Sequence, residues 1–419
     1  MRDINLENLT FMDPAVQDCP YPAYEVLRAE APAFYDRAAG IWVITKYADI
    51  RSIIMNPAAF SSEATVELAR DSIDPDRAER LRDIYRAEGW EPQPTLSLLD
   101  EPRHAEVRAI FTRALRAGKI KALDPFIESV SHDLVDRFVD KGECEIVAQY
   151  SVPLPLIAIC SQVGVPIDDV WQIKAWTDAW MRRFSLMISE EEEIECIRKE
   201  IEFQKYFHKI VADIKQHPND SILSDLANTK MSDGRELTYA EVSSHLLSDI
   251  FVGGSETSTN AISEGVLIMC QHPDHYALLN SDIDKYLPTF IEEVLRLQSP
   301  VQSLYRVTRE AVEIGGVEIP ARSVLSLRFG AGNRDKDHFE RPDAVDLLRC
   351  NAGAHMSFGG GIHHCIGAPL ARREMYWAFR TLLDRTTGLS LAPGKNDFSH
   401  HPGMMLRSLK ELHVRFRRR

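Results

Sequence analysis

The period of hydrophobic and polar positions changes along the chain, and the changes predict a mainly α-helical protein with smaller β-sheets. Residues 33–35 and 41–45 read as short strands around the turn Ala38-Ala39-Gly40, with a helix following over 47–55. Helical spacing dominates from about 102 to 297; strand-like runs return at 312–319 and 324–329, and 406–416 reads as extended. Thr238 and Glu241 form a capping box, and the helix they open runs to about Cys270, roughly 50 Å at 1.5 Å per residue. Ala371, Met375, Phe379 and Leu382 recur at helical spacing, and Trp176, Trp180 and Phe184 make a stripe that suits a core better than a pocket. The polar segment 60–99, weakly periodic, reads as a loop region, and the acidic run 190–193 and the stretch 216–219 read as solvated connections. No internal repeat and no low-complexity linker divides the chain.

Composition narrows the class. The 419 residues are 44% hydrophobic and 27% charged, the balance of an ordinary globular protein. A formal charge of -14 argues against nucleic-acid binding, which normally leaves a domain basic. The first residues, MRDINLENLTFMDP, hold neither a basic segment leading into an apolar run nor a long apolar stretch, so no signal peptide or membrane anchor is expected and the expected location is cytoplasmic. Seven scattered cysteines without a CxxC pair argue against a disulfide framework or zinc knuckle, and most suit small core positions.

Cys365 is in a different setting. His355-Met356-Ser357-Phe358-Gly359-Gly360-Gly361-Ile362-His363-His364-Cys365-Ile366-Gly367 is a glycine-rich loop leading into a helix. A cysteine near a helix amino terminus is favoured as thiolate by free N–H groups and the helix dipole, while glycines let a flat ligand approach the backbone closely. A phosphate loop would need GxGxxG or GxxxxGK[ST], and neither is completed. A zinc site on His363, His364 and Cys365 would require adjacent side chains to converge on one ion, which the backbone makes awkward. A merely buried cysteine leaves the glycines unexplained.

Phe358, Gly359, Gly361, His363, Cys365 and Gly367 spell F-G-x-G-x-H-x-C-x-G, and by this motif the chain resembles the cytochrome P450 family. The resemblance implies the cytochrome P450 fold, a helix-rich and a β-rich region around a buried haem, formed by 1–419 as a single catalytic domain. It implies heme b (iron protoporphyrin IX) ligated through Cys365, with Phe358, Gly359, His363 and Gly367 in the cofactor-binding loop.

Other landmarks follow in family order. Pro102 suits the first turn of a helix, and His104 and Arg108, at i and i+4, share a face on which two donors can grip a carboxylate. Alone, such a pair is more often an ordinary surface pair; the resemblance implies that both hold haem propionates, with Arg306 and His355 as further partners. Gly253-Gly254-Ser255-Glu256-Thr257 interrupts the long helix with glycines costing about 1 kcal/mol each relative to alanine, which tight packing or a function must explain. The segment resembles the family's [AG]-G-x-[DE]-T element, in which Thr257 activates oxygen and Glu256 relays protons. Glu293 and Arg296 resemble the family's ExxR lock, on a helix expected to start near Pro288. The usual third member is in doubt, because the stretch that should supply an arginine reads Pro342-Asp343-Ala344-Val345.

A haem-thiolate monooxygenase follows as the expected function, acting with dioxygen on a small apolar substrate such as a terpenoid, steroid, fatty acid or aromatic. Under the family topology Val252, Gly253, Val301, Leu304, Met405 and Leu406 line the pocket. Helical spacing sets Asp249 four residues before Gly253 and eight before Thr257, as a polar anchor for substrate or, equally, a carboxylate bonded within the protein. Electrons are expected from a ferredoxin with its NAD(P)H-dependent ferredoxin reductase. Six Lys/Arg less one Glu over 103–121 give a local +5, so that Arg113, Arg116, Lys119 and Lys121, with Arg372 and Arg373, form a candidate docking patch. A peroxygenase and a non-catalytic haem sensor are the alternatives, both disfavoured by the Glu256-Thr257 pair.

Overall fold

The computed structural model describes residues 4–63, 74–183 and 188–419. Its contacts cluster into two compact units, Met1–Phe60 with Leu123–Pro155 and Glu256–Arg419, and Ser61–Ala122 with Leu156–Ser255.

The first unit holds the sheets. Ala33–Asp36 and Ile41–Ile44 pair antiparallel across a turn in which Gly40 takes a φ of +67°, open to glycine at little cost. Ile41–Ile44 then runs parallel to Val324–Arg328, which pairs antiparallel with Ser303–Thr308; Phe60–Ser61 completes the five-stranded order. Ile44, Leu325 and Leu327 lie on one side with Ile50, Ile53 and Ile54 of the helix Tyr47–Ile54, in a core that also takes Tyr47, Phe329 and Met356. The run at 312–319 is a hairpin rather than one strand, Val312–Ile314 turning back as Val317–Ile319 through two glycines of positive φ. The extended carboxy-terminal tail divides into Ser408–Leu409, paired with His400–His401, and His413–Arg418, set between Glu143–Glu145 and Thr386–Leu391.

The unit's helices pack closely. Thr257–Gln271 is buried over most of its length, and a Cβ at Gly265 would fall 2.3 Å from Phe379 on Ala368–Arg385, so this glycine is required by approach. The helix expected near Pro288 instead begins at Ile283, where Asp282 caps the N–H of Lys285, and Pro288 lies inside it. The cap sets the start, and the buried face of Leu287, Phe290, Ile291, Val294 and Leu295 holds the helix together across the proline.

In the second unit the segment expected to be a loop contains the helix Pro75–Glu88, whose Leu81 and Tyr85 pack on Ile197 and Ile201. The acidic run is no connection. Ser189 caps a 27-residue helix, Glu190–Gln216, and its four glutamates form the first turn, where the helix dipole favours them. Glu193 is buried and paired with Arg77 at 2.7 Å and Arg183 at 3.4 Å. Trp176 is core, edge-on to Phe203 at 5.8 Å, and Trp180 is half-buried; Phe184 lies outside the described residues.

The long helix runs unbroken from Tyr239 to Gln271 behind the expected Thr238–Glu241 capping box, but Leu246–Glu256 is π-helical. Bonding from i to i+5 widens each turn, so α-helical spacing does not carry across this segment.

Candidate functional site

Cys365 is half-buried three residues before the helix Ala368–Arg385, and its N–H donates to the carbonyl of Phe358 at 2.8 Å, closing the loop. Gly359 and Gly361 take φ of +66° and +61°, and a Cβ on Gly361 would stand 2.4 Å from the carbonyl oxygen of Ile54. Glycine is therefore demanded at 361 twice, by conformation and by contact. A Cβ on Gly367 would come 3.8 Å from the Cys365 sulfur, so that position keeps the thiol's flank open.

Two sets of bonds hold the loop, and a third braces the segment that carries Asn333. Asn333 accepts from the Met356 N–H at 2.7 Å and donates to the Ser357 hydroxyl at 2.8 Å, and Ser357 donates to the carbonyl of Leu295. Glu292 binds Arg372 at 2.6 Å and His355 at 3.1 Å; burial raises its carboxyl pKa, but these two bonds outweigh that and hold it at about 2. Arg372 also lies over the Phe358 ring at 4.6 Å.

The third set is the lock. Arg296 bonds Glu293 through Nε at 2.6 Å and Nη2 at 3.0 Å, and donates to the carbonyls of Asn333, Pro342 and Ala344. Both side chains are fully buried. The missing third member is Arg349, whose Nε reaches Glu293 Oε1 at 2.9 Å, and Phe339 supplies an aromatic face 5.2 Å from the Arg296 guanidinium. Motif spacing missed both because the irregular turns between them bring back residues that no fixed interval in sequence relates.

The expected propionate partners fare differently. His104 and Arg108 share a face of Arg103–Ala114 in the second unit; His104 is buried, its Nδ1 is 3.3 Å from Glu101, and burial lowers its pKa against the pull of Glu101. Arg306 is buried in the first unit and donates to the carbonyl of Tyr305. His355 is bonded within the protein. Its Nδ1 accepts from the Ser357 N–H and its Nε2 meets Glu292, so both ring nitrogens are engaged in holding the loop. Sequence position could not distinguish a donor for a ligand from a donor for Glu292.

Asp249 is likewise engaged by its own unit. Its Oδ2 accepts from the Leu96 N–H at 3.0 Å and lies 2.8 Å from His245 Nδ1, and Oδ1 is 3.5 Å from the Ser97 hydroxyl. The wider π-helical turn removes the spacing that had set it on one face with Thr257. Val252 is buried, while Gly253 is exposed, and a Cβ there would meet only the Ser248 carbonyl oxygen at 3.4 Å; at Gly254 it would touch Ile159. Glu256 is buried and Thr257 half-buried at the start of the following α-helical stretch. Val301 pairs with Leu406, and the Gln302 N–H donates to Met405, which brings three of the expected pocket residues together beside Leu304.

The expected docking cations are largely paired. Arg113 meets Asp225, Lys119 meets Asp220 and Asp225, and Arg116 lies 3.9 Å from Asp220, while Arg372 and Arg373 meet Glu292 and Asp124. Counting charge along one stretch omits the acids that folding brings alongside.

A cytochrome P450 family model matches residues 170–408, more than half the chain. The chain belongs to the cytochrome P450 family. Cytochrome P450 107B1 of Saccharopolyspora erythraea is 31% identical over 412 residues, 97% of each chain. The vitamin D(3) 25-hydroxylase of Pseudonocardia autotrophica is 30% identical over 401 residues, 94% of this chain and 93% of that one. The crystal structure of CYP109E1 from Bacillus megaterium in complex with testosterone superposes with a TM-score of 0.79 at 30% identity, covering 94% of this chain and 99% of the other. The chain is thus a cytochrome P450 monooxygenase, and its family implies a haem. The residues fit one: a half-buried thiol on a glycine-supported loop beside a helix start is the donor a haem iron takes from this family. Among the described residues no helix is long and apolar enough to cross a membrane.

Proposed function

We propose that this cytochrome P450 hydroxylates a small, mainly apolar substrate at a heme b held by the Cys365 thiolate, with the whole chain acting as one catalytic domain. The Cys365 loop carries the reading, since its two positive-φ glycines, the Cys365 N–H closed on Phe358 and the bonds of Asn333 and Glu292 all fix the residues that surround the sulfur. When bound, the haem supplies the activation of dioxygen, the reaction consuming two electrons and two protons, placing one oxygen atom in the product and releasing the other as water.

The chain's own residues do the rest. Cys365 holds the iron, with Phe358, Gly359, His363 and Gly367 shaping its loop. Arg306, His104 and Arg108 take the propionates, and His355 acts one step back by steadying the loop through Glu292. Glu256 exchanges protons with water, and the Thr257 hydroxyl orients the water that delivers them. Val252, Val301, Leu304, Met405 and Leu406 form apolar walls, whereas Asp249 is a structural carboxylate and not the substrate anchor.

A steroid is the favoured substrate class, a choice supported by the vitamin D(3) 25-hydroxylase and the testosterone complex among the similar proteins. A ferredoxin and its NAD(P)H-dependent reductase supply electrons in the cytoplasm. Carbon monoxide added to the reduced, haem-loaded protein should give the strongly red-shifted Soret band of a thiolate ligand, and Cys365→His should abolish it. An unshifted band in folded, haem-loaded wild type sinks the reading, and NADH consumption with ferredoxin and reductase but no substrate oxidised across a steroid panel sinks the substrate class.

A further inference from the structure

The main sheet has a second polar face. Side chains alternate along a strand, so Ser326 and Arg328 project to the side opposite the core residues Leu325 and Leu327, and the register sets Tyr305 against Ser326 and Ser303 against Arg328. Phe11 and Tyr24 are brought to the same guanidinium, Phe11 lying under its Cζ at 4.0 Å, and all six side chains are buried.

Arg328 is only 2% exposed. Its Nη1 donates to the carbonyl of Met404 at 3.0 Å and to the Ser303 hydroxyl at 3.4 Å, while Nε, Nη2 and the Ser326 hydroxyl have no hydrogen-bond partner. Among the described residues no carboxylate pairs with it. Asp36, which anchors the Phe11 segment, is already taken by the N–H groups of Phe11 and Ala39 and the Thr10 hydroxyl. The tyrosines cannot supply the charge either: burial pushes the Tyr24 phenol up to about 12 and the Tyr305 phenol upward, against the pull of Arg328, so both stay neutral. A buried cation needs an opposite charge or a full set of acceptors, and one aromatic face, the carbonyl of Met404, the Ser303 hydroxyl and the neighbouring neutral Tyr24 phenol do not balance its charge.

We propose that Arg328 and Ser326, enclosed by Phe11, Tyr24, Ser303 and Tyr305, form a binding site for a small monovalent inorganic anion of chloride size. The anion accepts from Arg328 Nε and Nη2 and from the Ser326 hydroxyl, balances the guanidinium, and secures the amino-terminal segment and the Met404 turn to the sheet.

Crystals of the haem-loaded enzyme grown in bromide without chloride should show an anomalous bromide peak in contact with Arg328. At fixed ionic strength, exchanging gluconate for chloride at ten times its dissociation constant should raise the unfolding midpoint of the wild type by about 1–2 °C and leave Arg328→Met unmoved. Water or protein atoms alone beside the guanidinium overturn the proposal. So does equal stabilisation of both proteins, which is a general salt effect, and so does a bromide peak without any stabilisation in solution, which marks an adventitious ion only. The wild-type crystal and melt decide the matter even if Arg328→Met does not fold.

Discussion

Glu374, on the helix that follows Cys365, shows how far one buried side chain departs from its usual chemistry. It is 1% exposed, one oxygen lies 2.6 Å from the Ser258 hydroxyl and the other has no partner, and burial pushes its carboxyl to about 8. The folded state therefore keeps a proton that the unfolded chain releases near 4.5, so folding loses stability as pH rises from about 4.5 through 8. Glu374→Gln should remove that slope and, at pH 8, exceed the wild type by about 4 kcal/mol, read as the difference between denaturant curves at pH 5, 6.5 and 8. Parallel curves would contradict it. At Asp249, leucine strands the Leu96 N–H and His245, costing about 1–3 kcal/mol in unfolding measurements, while the substrate-induced spin shift persists in the folded fraction. Loss of the spin shift with stability intact would restore Asp249 as an anchor.

At the scale of elements, the cysteine loop depends on the helix Ile283–Gln298, which presents Glu292 to His355 and Arg372 and Glu293 to Arg296 and Arg349. Arg349→Ala removes one cation from a fully buried carboxylate, together with bonds to the carbonyls of Glu340, Arg341 and Ala344. It should cost about 3 kcal/mol and speed haem loss to a haem-scavenging apoprotein, without altering the substrate's binding spectrum in the protein that keeps its haem. Unchanged haem retention would remove Arg349 from the lock. Glu292 works in the opposite pH direction to Glu374. Its carboxyl is lowered to about 2, so its contribution is complete above about 4.5 and lost as pH falls towards 2, and acid should release haem from the wild type earlier than Glu374 alone predicts.

For the whole molecule, a charge of -14 would repel at long range the acidic ferredoxin proposed as donor, and local cations would have to overcome it. Those at Arg113, Arg116 and Lys119 are partly cancelled by Asp220 and Asp225. Asp220 is 81% exposed, so Asp220→Asn should change docking without touching the core. The second-order rate of reduction by an acidic ferredoxin should rise about 2–3-fold at low salt, and the gain should vanish at 0.5 M salt, where charges are screened within a few ångströms. A rate that ignores both the substitution and the salt would move electron entry away from this surface.

The cysteine loop, the Glu293–Arg296 pair, the capping box at Thr238 and much of the order of helices and strands are legible along the chain, because each is written in residues a few positions apart whose spacing the backbone converts directly into geometry. Tertiary structure decided what lies opposite each of these. It brought Leu96 to Asp249 and Glu292 to His355, found Arg349 for Glu293, paired the expected docking cations, made a capped helix start of the acidic run and widened the central helix into π geometry. The physical reason is the same throughout. A polar or charged group is satisfied by whatever donor or acceptor folding brings within about 3 Å, and that partner is chosen by the packing of distant segments, which no local spacing encodes.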